Sequence, residues 1–263
     1  MTEAQDRVRA QYGRVGDAYV RSVGHATGDD LERMLHHAAP QPSDTLLDIA
    51  TGGGHVARVI GPHVGRVIVS DLTPEMLDHA VPYLQQQGIA NVERLVADAQ
   101  SLPMEDESVD IATCRIAPHH FPEPDRFVAE AARVLPPGGR FLLVDSTVPE
   151  GEIGAFFNAY EKVRDPSHVR SLTESEWVSL LKRHGFKIGA IEPVRKRHEF
   201  GEWTDRMQVD AEDRETLRTM MRSAGEKVHQ AFEVVFDDQF GDVVSWVDTK
   251  TLFVAYLPVP QTA

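Results

Sequence analysis

Five short apolar runs, separated by helical patterns and turns, constrain the fold of this chain more than any other feature. The runs lie at residues 46–49, 66–71, 92–97, 109–117 and 141–144. Apolar residues are nearly continuous within each run, which is typical of strands buried on both faces of a parallel sheet. Apolar residues at helical spacing between the runs would form the covering layers. The pattern therefore predicts an α/β protein whose parallel sheet carries helices on both faces.

Beyond the fifth run the pattern of elements continues. Residues 173–176 fit a capping box at the start of a helix, and a strand is predicted at about 187–194. Residues 202–228 are predicted to be mostly helical, and 246–257 is predicted to form a final long strand. Because we find neither an internal repeat nor a linker, a single domain over 1–263 is predicted.

Charge and cysteine content limit the partners that the chain can have. It carries 27 basic and 41 acidic residues, a net charge of −14 at pH 7. Such a surface repels phosphate groups, so neither nucleic acid nor an anionic membrane is expected as a partner. The single cysteine, Cys114, cannot form an internal disulfide, and no apolar stretch approaches the ~18 residues of a membrane span. A cytoplasmic protein with no membrane span and no metal site is therefore predicted.

A loop of small residues follows the first apolar run. Asp48 lies on the predicted strand, and Gly52 and Gly54 follow where that strand should lead into a helix. Small residues allow a ligand to approach the backbone, and the start of a helix presents free N–H groups. The spacing Gly52-x-Gly54-x-x-Ala57 also fits a dinucleotide-binding fingerprint, while a tight turn without a ligand is the plain alternative.

Two more acidic residues follow the second and third runs. Asp71 ends the second run, where a carboxylate can accept both hydroxyls of a ribose. Asp98 and Ala99 come just after the third run and could bind an adenine through a side-chain carboxylate and a backbone N–H. These residues favour a ligand that contains a nucleoside, without deciding between the classes of such ligands.

Four stretches resemble class I S-adenosylmethionine-dependent methyltransferases, specifically the small-molecule group related to ubiquinone and menaquinone biosynthesis. The stretches are LLDIATGGGHVA (46–57), VIVSDLTPEML (67–77), VADAQSLPMEDESVDIATCRIAPHHF (96–121) and ARVLPPGGRFLLVD (132–145). The resemblance implies a Rossmann-like, seven-stranded, mostly parallel sheet. It also implies an N-terminal helical lid over 1–39, a cofactor-binding core over 40–150, and a cap with the C-terminal strands over 151–263. The implied cofactor is S-adenosylmethionine, and the implied product is S-adenosylhomocysteine.

The same resemblance implies roles for individual residues. In that family the first acid and its glycine loop hold the methionine part, the acid after the second strand holds the ribose, and the acid after the third strand contacts adenine. The implied cofactor-binding residues are Asp48, Ala50, Thr51, Gly52, Gly54, Asp71, Leu72, Met76, Asp98, Ala99, Arg115 and Tyr19. Ala50 departs from the family, which usually has glycine there, and this leaves the backbone path of the loop open. Arg115, within an apolar strand, needs either a carboxylate partner or the cofactor.

Methyl transfer from a sulfonium requires little from the protein beyond alignment of the reactants. Positioning of this kind is worth about 7–11 kcal/mol, and a general base adds about 10²–10⁴-fold when the acceptor must lose a proton. His119 and His120, directly after the fourth run, are the candidate bases. The alternative is that one or both of them only pack the loop.

The acceptor pocket is the part of the site for which the sequence gives least information. Arg164 and His168, in a polar and proline-broken segment, could line the pocket or belong to a solvent-exposed loop. The resemblance also implies that Tyr12, Tyr19 and His25 form part of the lid, with Tyr12 and His25 facing the substrate. A plain amphipathic helix packed on the sheet is the alternative for these three residues.

Three functions remain in competition at this point. The first is methyl transfer to a small acceptor, expected to be apolar or aromatic, by a monomer or homodimer. The second is an NAD-dependent oxidoreductase, favoured by Gly52-x-Gly54-x-x-Ala57 and Asp71, although it leaves Asp48 and Asp98 without roles. The third is a protein of the same fold that binds the cofactor and does not methylate.

Overall fold

The computed structural model describes residues 3–20, 28–239 and 241–260 and, within 3–20, the side chains of 3 and 5–12. The helices are α1 Glu3–Val20, α2 Asp29–Ala38, α3 His55–Ile60, α4 Pro74–Gln86, α5 Pro124–Val134, α6 Glu152–Arg164, α7 Glu174–Arg183, α8 Phe200–Arg206, α9 Ala211–Ser223 and α10 Glu226–Ala231. The strands are β1 Thr45–Ile49, β2 Arg66–Asp71, β3 Val92–Val96, β4 Ile111–Arg115, β5 Arg140–Thr147, β6 Lys187–Glu199, β7 Val235–Phe236 and β8 Val243–Tyr256. None of these helices is long and apolar enough to cross a membrane.

One sheet organises the described part of the chain, with the strand order β3-β2-β1-β4-β5-β8-β6. Neighbours among the first five strands are parallel, and β8 runs antiparallel to both β5 and β6. The predicted mostly parallel, seven-stranded sheet is confirmed, and the two-residue β7 pairs with β8 as an additional strand. The strand order reverses beside β1, and ligands of open α/β sheets bind at such a point, outside the carboxyl ends of the strands.

Several boundaries differ from the predicted ones for physical reasons. The run at 109–117 forms a strand only over 111–115, because Ile116 leaves the extended region with φ 55°. The strand predicted at 187–194 extends to residue 199, because its whole length pairs with β8. The capping box is confirmed, since Thr173 Oγ1 accepts from the Glu176 N–H and the Glu176 carboxylate accepts from the Thr173 N–H.

Apolar side chains form three cores. One core lies on the sheet face covered by α5 and α7, and a second lies on the face covered by α2, α3 and α4. A third core joins α6, α8 and α9 to β8 around Trp203 and Trp246, which are almost fully buried. This third core holds α6, α8 and α9 near the carboxyl end of β5, next to the edge where ligands are expected.

Candidate active site

The carboxyl ends of β1, β2 and β3 border one open cleft. Asp48 on β1, Asp71 at the end of β2 and Asp98 just beyond β3 all line it. The empty volume of the cleft is about 1020 Å³, including the part open to solvent. Leu72, Met76 and Ala99 line the same space, together with the loop residues Ala50, Thr51, Gly52 and Gly53. The topology thus brings together the three acids that the sequence placed far apart.

Asp48 is the most deeply buried of the three acids, with 1% of the residue exposed. Thr51 Oγ1 donates to one carboxylate oxygen at 2.5 Å, and Thr113 Oγ1 donates to the other at 2.8 Å. Burial raises the pKa of Asp48 to about 6, although these hydrogen bonds act in the opposite direction. A cationic ligand group in the cleft would stabilise the ionised form.

Two backbone N–H groups donate hydrogen bonds to Asp71. The Gly52 N–H donates to Oδ2 at 3.1 Å, and the Thr73 N–H donates to Oδ1 at 2.9 Å. Removal from water raises the pKa of Asp71 to about 6. Each carboxylate oxygen has a second lone pair, so Asp71 can still accept hydrogen bonds from a ligand.

The loop between β1 and α3 owes its path to left-handed backbone conformations. Ala50, Gly52 and Gly54 have φ values of 51°, 51° and 78°. Ala50 therefore adopts a conformation that glycine adopts without strain. Gly54 does not line the cleft: it precedes α3, and a Cβ there would meet the Leu84 side chain at 3.3 Å. Gly54 thus packs closely against α4, and Gly53 lines the cleft.

Helix α1 covers the cleft beside Asp98. Gln5 Nε2 donates to Asp98 Oδ2 at 2.6 Å, and the Gln100 N–H donates to Oδ1 at 2.9 Å. Val8 and Tyr12 of α1 also line the cleft. Of the other proposed lid residues, the Tyr19 side chain and the whole of His25 lie outside the described part of the structure.

Arg115 has the carboxylate partner that the sequence analysis left open as one possibility. Its guanidinium pairs with Asp30 of α2, with Nε 2.5 Å from Oδ2 and Nη2 3.2 Å from Oδ1. The same residue lines the cleft. Helix α2 is therefore linked to the site, but it packs in the second core through Leu31 and Met34 and is not part of a lid.

The two adjacent histidines face different spaces. His120 lines the cleft, with its Nε2 3.0 Å from the Tyr12 hydroxyl and its Nδ1 3.2 Å from the Ser167 carbonyl oxygen. His119 lines a second cavity, and its Nδ1 lies 2.6 Å from Oδ1 of the fully buried Asp145. His119 and Asp145 thus form a histidine–carboxylate pair at the wall of the second cavity.

The environment of this pair determines its protonation. Burial and the neighbouring His120 and Lys250 lower the pKa of His119 well below its usual range. Burial also raises the pKa of Asp145 to about 7. At neutral pH His119 is therefore an uncharged imidazole, and ionised Asp145 favours the tautomer with the proton on Nδ1.

The second cavity adjoins the cleft, since Tyr12 and Ile116 line both. Its empty volume is about 530 Å³, including the part open to solvent. The predicted residues Arg164 and His168 both line it. Residues that the sequence analysis missed complete its wall: Ser146, Glu161, Ser171, Lys196, His198, Trp203, Arg206 and Lys250. In the cleft it missed Gln5, His55, Gln100 and Phe121.

Comparison with known proteins identifies the family. A family model described as a methyltransferase domain matches residues 47–143. The uncharacterized methyltransferase YcgJ of Bacillus subtilis (strain 168) is 35% identical over 222 residues, which are 84% of this chain and 87% of that protein. This chain belongs to the methyltransferase family. The predicted resemblance is thereby confirmed.

Two further proteins are similar to this methyltransferase. The ubiquinone/menaquinone biosynthesis C-methyltransferase UbiE of Rubrivivax gelatinosus is 36% identical over 128 residues, or 49% of each chain. A solved structure of a proposed methyltransferase from Bacillus halodurans C-125 is 39% identical, with a TM-score of 0.85. The match covers 88% of this methyltransferase and 100% of that chain. Most of the described architecture is therefore shared with a relative.

Proposed function

We propose that this methyltransferase binds S-adenosylmethionine in the cleft and methylates a small molecule held in the second cavity. The observation that carries the proposal is the arrangement of Asp48, Asp71 and Asp98 around one cleft that adjoins a separate cavity at Tyr12 and Ile116. A cosubstrate and an acceptor can thus occupy neighbouring spaces.

The residues of the cleft fit this cofactor. Asp71 has lone pairs left for ribose hydroxyls, and buried Asp48 complements the positively charged methionine end. Asp98 and the Ala99 backbone can contact adenine, between the apolar side chains of Leu72 and Met76. When bound, S-adenosylmethionine supplies a methyl group on a sulfonium, whose bonding electron pair stays on sulfur as the methyl passes to the acceptor.

The same residues disfavour NAD. A dinucleotide would bring two negatively charged phosphates beside the glycine loop, where Asp48 and Asp71 already lie. The cation that lines the described wall there, Arg115, is paired with Asp30. Like charges in a partly buried site repel strongly, so the acidic wall favours a cationic cofactor.

His119 is proposed as the general base for an acceptor that must lose a proton. Its neutral imidazole lines the second cavity, and Asp145 orients it through Nδ1. The outer nitrogen, Nε2, then takes the proton that the acceptor atom releases. His120, which Tyr12 and Ser167 hold on the cleft side, is proposed to position Tyr12.

Each part of the chain has its own role in the proposed function. We assign residues 1–263 to a single methyltransferase domain, with the cofactor-binding core over 40–150. Residues 151–263 supply the cap and the C-terminal strands, which bear most of the wall of the second cavity. The lid role within 1–39 is assigned to α1, since α2 packs in the core.

Titration calorimetry with S-adenosylmethionine and, separately, with NADH tests the proposal. We expect saturable binding of S-adenosylmethionine and none of NADH. No binding at high micromolar S-adenosylmethionine would contradict it. Incubation with a broad panel of acceptors should then release S-adenosylhomocysteine, whereas binding without release would favour a protein that does not methylate.

A further inference from the structure

The wall of the second cavity has the opposite charge to the molecule as a whole. The protein carries a net charge of −14, yet four cations line this cavity: Arg164, Lys196, Arg206 and Lys250. Glu161 is the one carboxylate among the described residues that line it. An excess of cations around a small concave space is the pattern by which proteins recognise anions.

Two of these cations, Lys196 and Lys250, are placed by the sheet. Lys196 and His198 lie two residues apart on β6 and share one of its faces, and Lys250 lies on the neighbouring β8. Arg195 and Arg197 point to the other face, where both are exposed and face Glu233. The alternation of a strand thus sorts a run of basic residues into a cavity wall and a solvent face.

Two of the four cations have carboxylate partners at or behind the wall. Arg164 pairs with Glu161 at 2.9 Å, and its guanidinium lies 4.7 Å from the centre of the Trp203 ring. Lys250 Nζ lies 2.7 Å from Asp248 Oδ2 behind the wall. Burial lowers the pKa of Lys196 to about 8, and the nearby charges of Lys250 and Arg206 act in the same direction. A bound anion would relieve this repulsion.

A buried hydroxyl group also points to a ligand. Ser171 lines the cavity with 1% of the residue exposed, and its Oγ has no hydrogen-bond partner in the described part of the structure. Leaving a buried hydroxyl without a hydrogen bond is energetically unfavourable. An oxygen of a bound anion would accept a hydrogen bond from it.

We propose that the acceptor carries a carboxylate or phosphate group, which Lys196, Arg206 and Lys250 hold while the atom to be methylated lies beside His119. The inference rests on the proposed function, because it assigns the second cavity to the acceptor. It replaces the expectation of an apolar acceptor, since an apolar molecule would displace water from these charged groups and offer them no hydrogen bond in return. The neutral end of the acceptor then faces Tyr12 and Ile116, towards the cleft.

Anion binding to the S-adenosylhomocysteine-loaded protein tests this inference without any need for turnover. Calorimetry with inorganic phosphate and with succinate separates the two anion classes. The variant Lys196→Met removes one cation at nearly constant volume, and Arg206→Met removes another. Arg195→Met is the matched control, since it removes an exposed cation from the opposite face of the same strand.

We expect one or both anions to bind the wild type and Arg195→Met with equal affinity. Lys196→Met and Arg206→Met should each bind that anion at least about 10-fold more weakly, as expected when a charged hydrogen bond is lost. Absence of anion binding, or equal affinity in all four proteins, would overturn the inference. The affinity for S-adenosylhomocysteine is measured first in each protein and should be the same in all of them. If the wild type does not bind S-adenosylhomocysteine, that result would instead contradict the proposed function.

Discussion

At the scale of single residues, two left-handed backbone positions shape the site. Ala50 has φ 51° in the loop below the cleft, and Ile116 has φ 55° where the cleft and the second cavity adjoin. Neither residue favours this region, and for a β-branched side chain it is a genuine outlier. Strain of about 1–3 kcal/mol at such positions persists only where the surrounding structure imposes it. Both positions line the cleft proposed for the cofactor.

Substitution of Ala50 tests the strain in the loop. Ala50→Gly should change the free energy of unfolding by less than about 1 kcal/mol, because relief of strain and the greater freedom of the unfolded chain offset each other. Ala50→Val should lower it by about 2 kcal/mol, since a β-branched side chain fits this region worse. Urea denaturation measures both, and equal stability of the two variants would show that the loop is unstrained.

Replacing Asp145 tests the proposed base. Ionised Asp145 holds the His119 proton on Nδ1, so turnover should rise with pH through about 7, the pKa of this carboxyl. Asp145→Asn should lower kcat by about 100-fold and abolish this pH limb, while S-adenosylmethionine affinity stays the same. A pH–rate profile of the two proteins measures this. A variant that retains the wild-type rate and profile would leave His119 as a packing residue.

At the scale of elements, the sequence patterns predicted the sheet and missed how some elements begin. Thr73 is of a residue type that favours a helix start and precedes α4, but its side chain makes no capping hydrogen bond, and the Met76 N–H bonds to the Thr73 carbonyl oxygen instead. Thr173, which has no neighbouring ligand acid, forms the complete capping box. The rule that a threonine side chain caps the start of a helix therefore holds at α7 and fails at α4, which begins beside the proposed cofactor site.

Helix α1 is the element whose proposed role is easiest to isolate. Gln5→Ala removes the contact with Asp98 and should speed release of S-adenosylmethionine several-fold, because the covering helix is held less firmly. Arg7→Ala is the control, since Arg7 is bonded to Glu3 on the exposed side of the helix. Stopped-flow displacement measures both rates. Equal release rates in the two variants would contradict the lid role.

At the scale of the whole molecule, how well each site could be predicted depended on where its residues lie in the chain. Asp48, Asp71 and Asp98 each directly follow or end a strand that the pattern predicts, so one rule about parallel sheets brings them together. Most of the wall of the second cavity comes from residues spread between 119 and 250, which the antiparallel pairing of β6 and β8 and the third core help to bring together. In the sequence, Lys196 stands in an unbroken basic run, and no periodicity separates it from its solvent-facing neighbours.

Burial of Asp48 in the cleft lowers the stability of the cofactor-free protein at neutral pH. Asp48 has a pKa of about 6 in the folded protein against 3.8 when unperturbed, so the folded state binds more protons between those values. Ionisation of Asp48 therefore lowers the free energy of unfolding above pH 6, and this effect disappears as the pH falls below about 4. Asp48→Asn should raise the free energy of unfolding of the cofactor-free protein at pH 7.5 by about 1–3 kcal/mol, and by little at pH 4. Urea titrations at the two pH values measure this, and destabilisation at pH 7.5 would contradict it.

The ribose assignment is the central claim of the account, and calorimetry with Asp71→Asn tests it most directly. Wild type and variant are titrated with S-adenosylmethionine at pH 7.5, where the Asp71 carboxyl is ionised. Loss of charged hydrogen bonds to the ribose should weaken binding by about 10- to 100-fold, while circular dichroism shows the same fold. If Asp71→Asn binds S-adenosylmethionine as tightly as the wild type, the cofactor does not lie where the three strand-end acids place it.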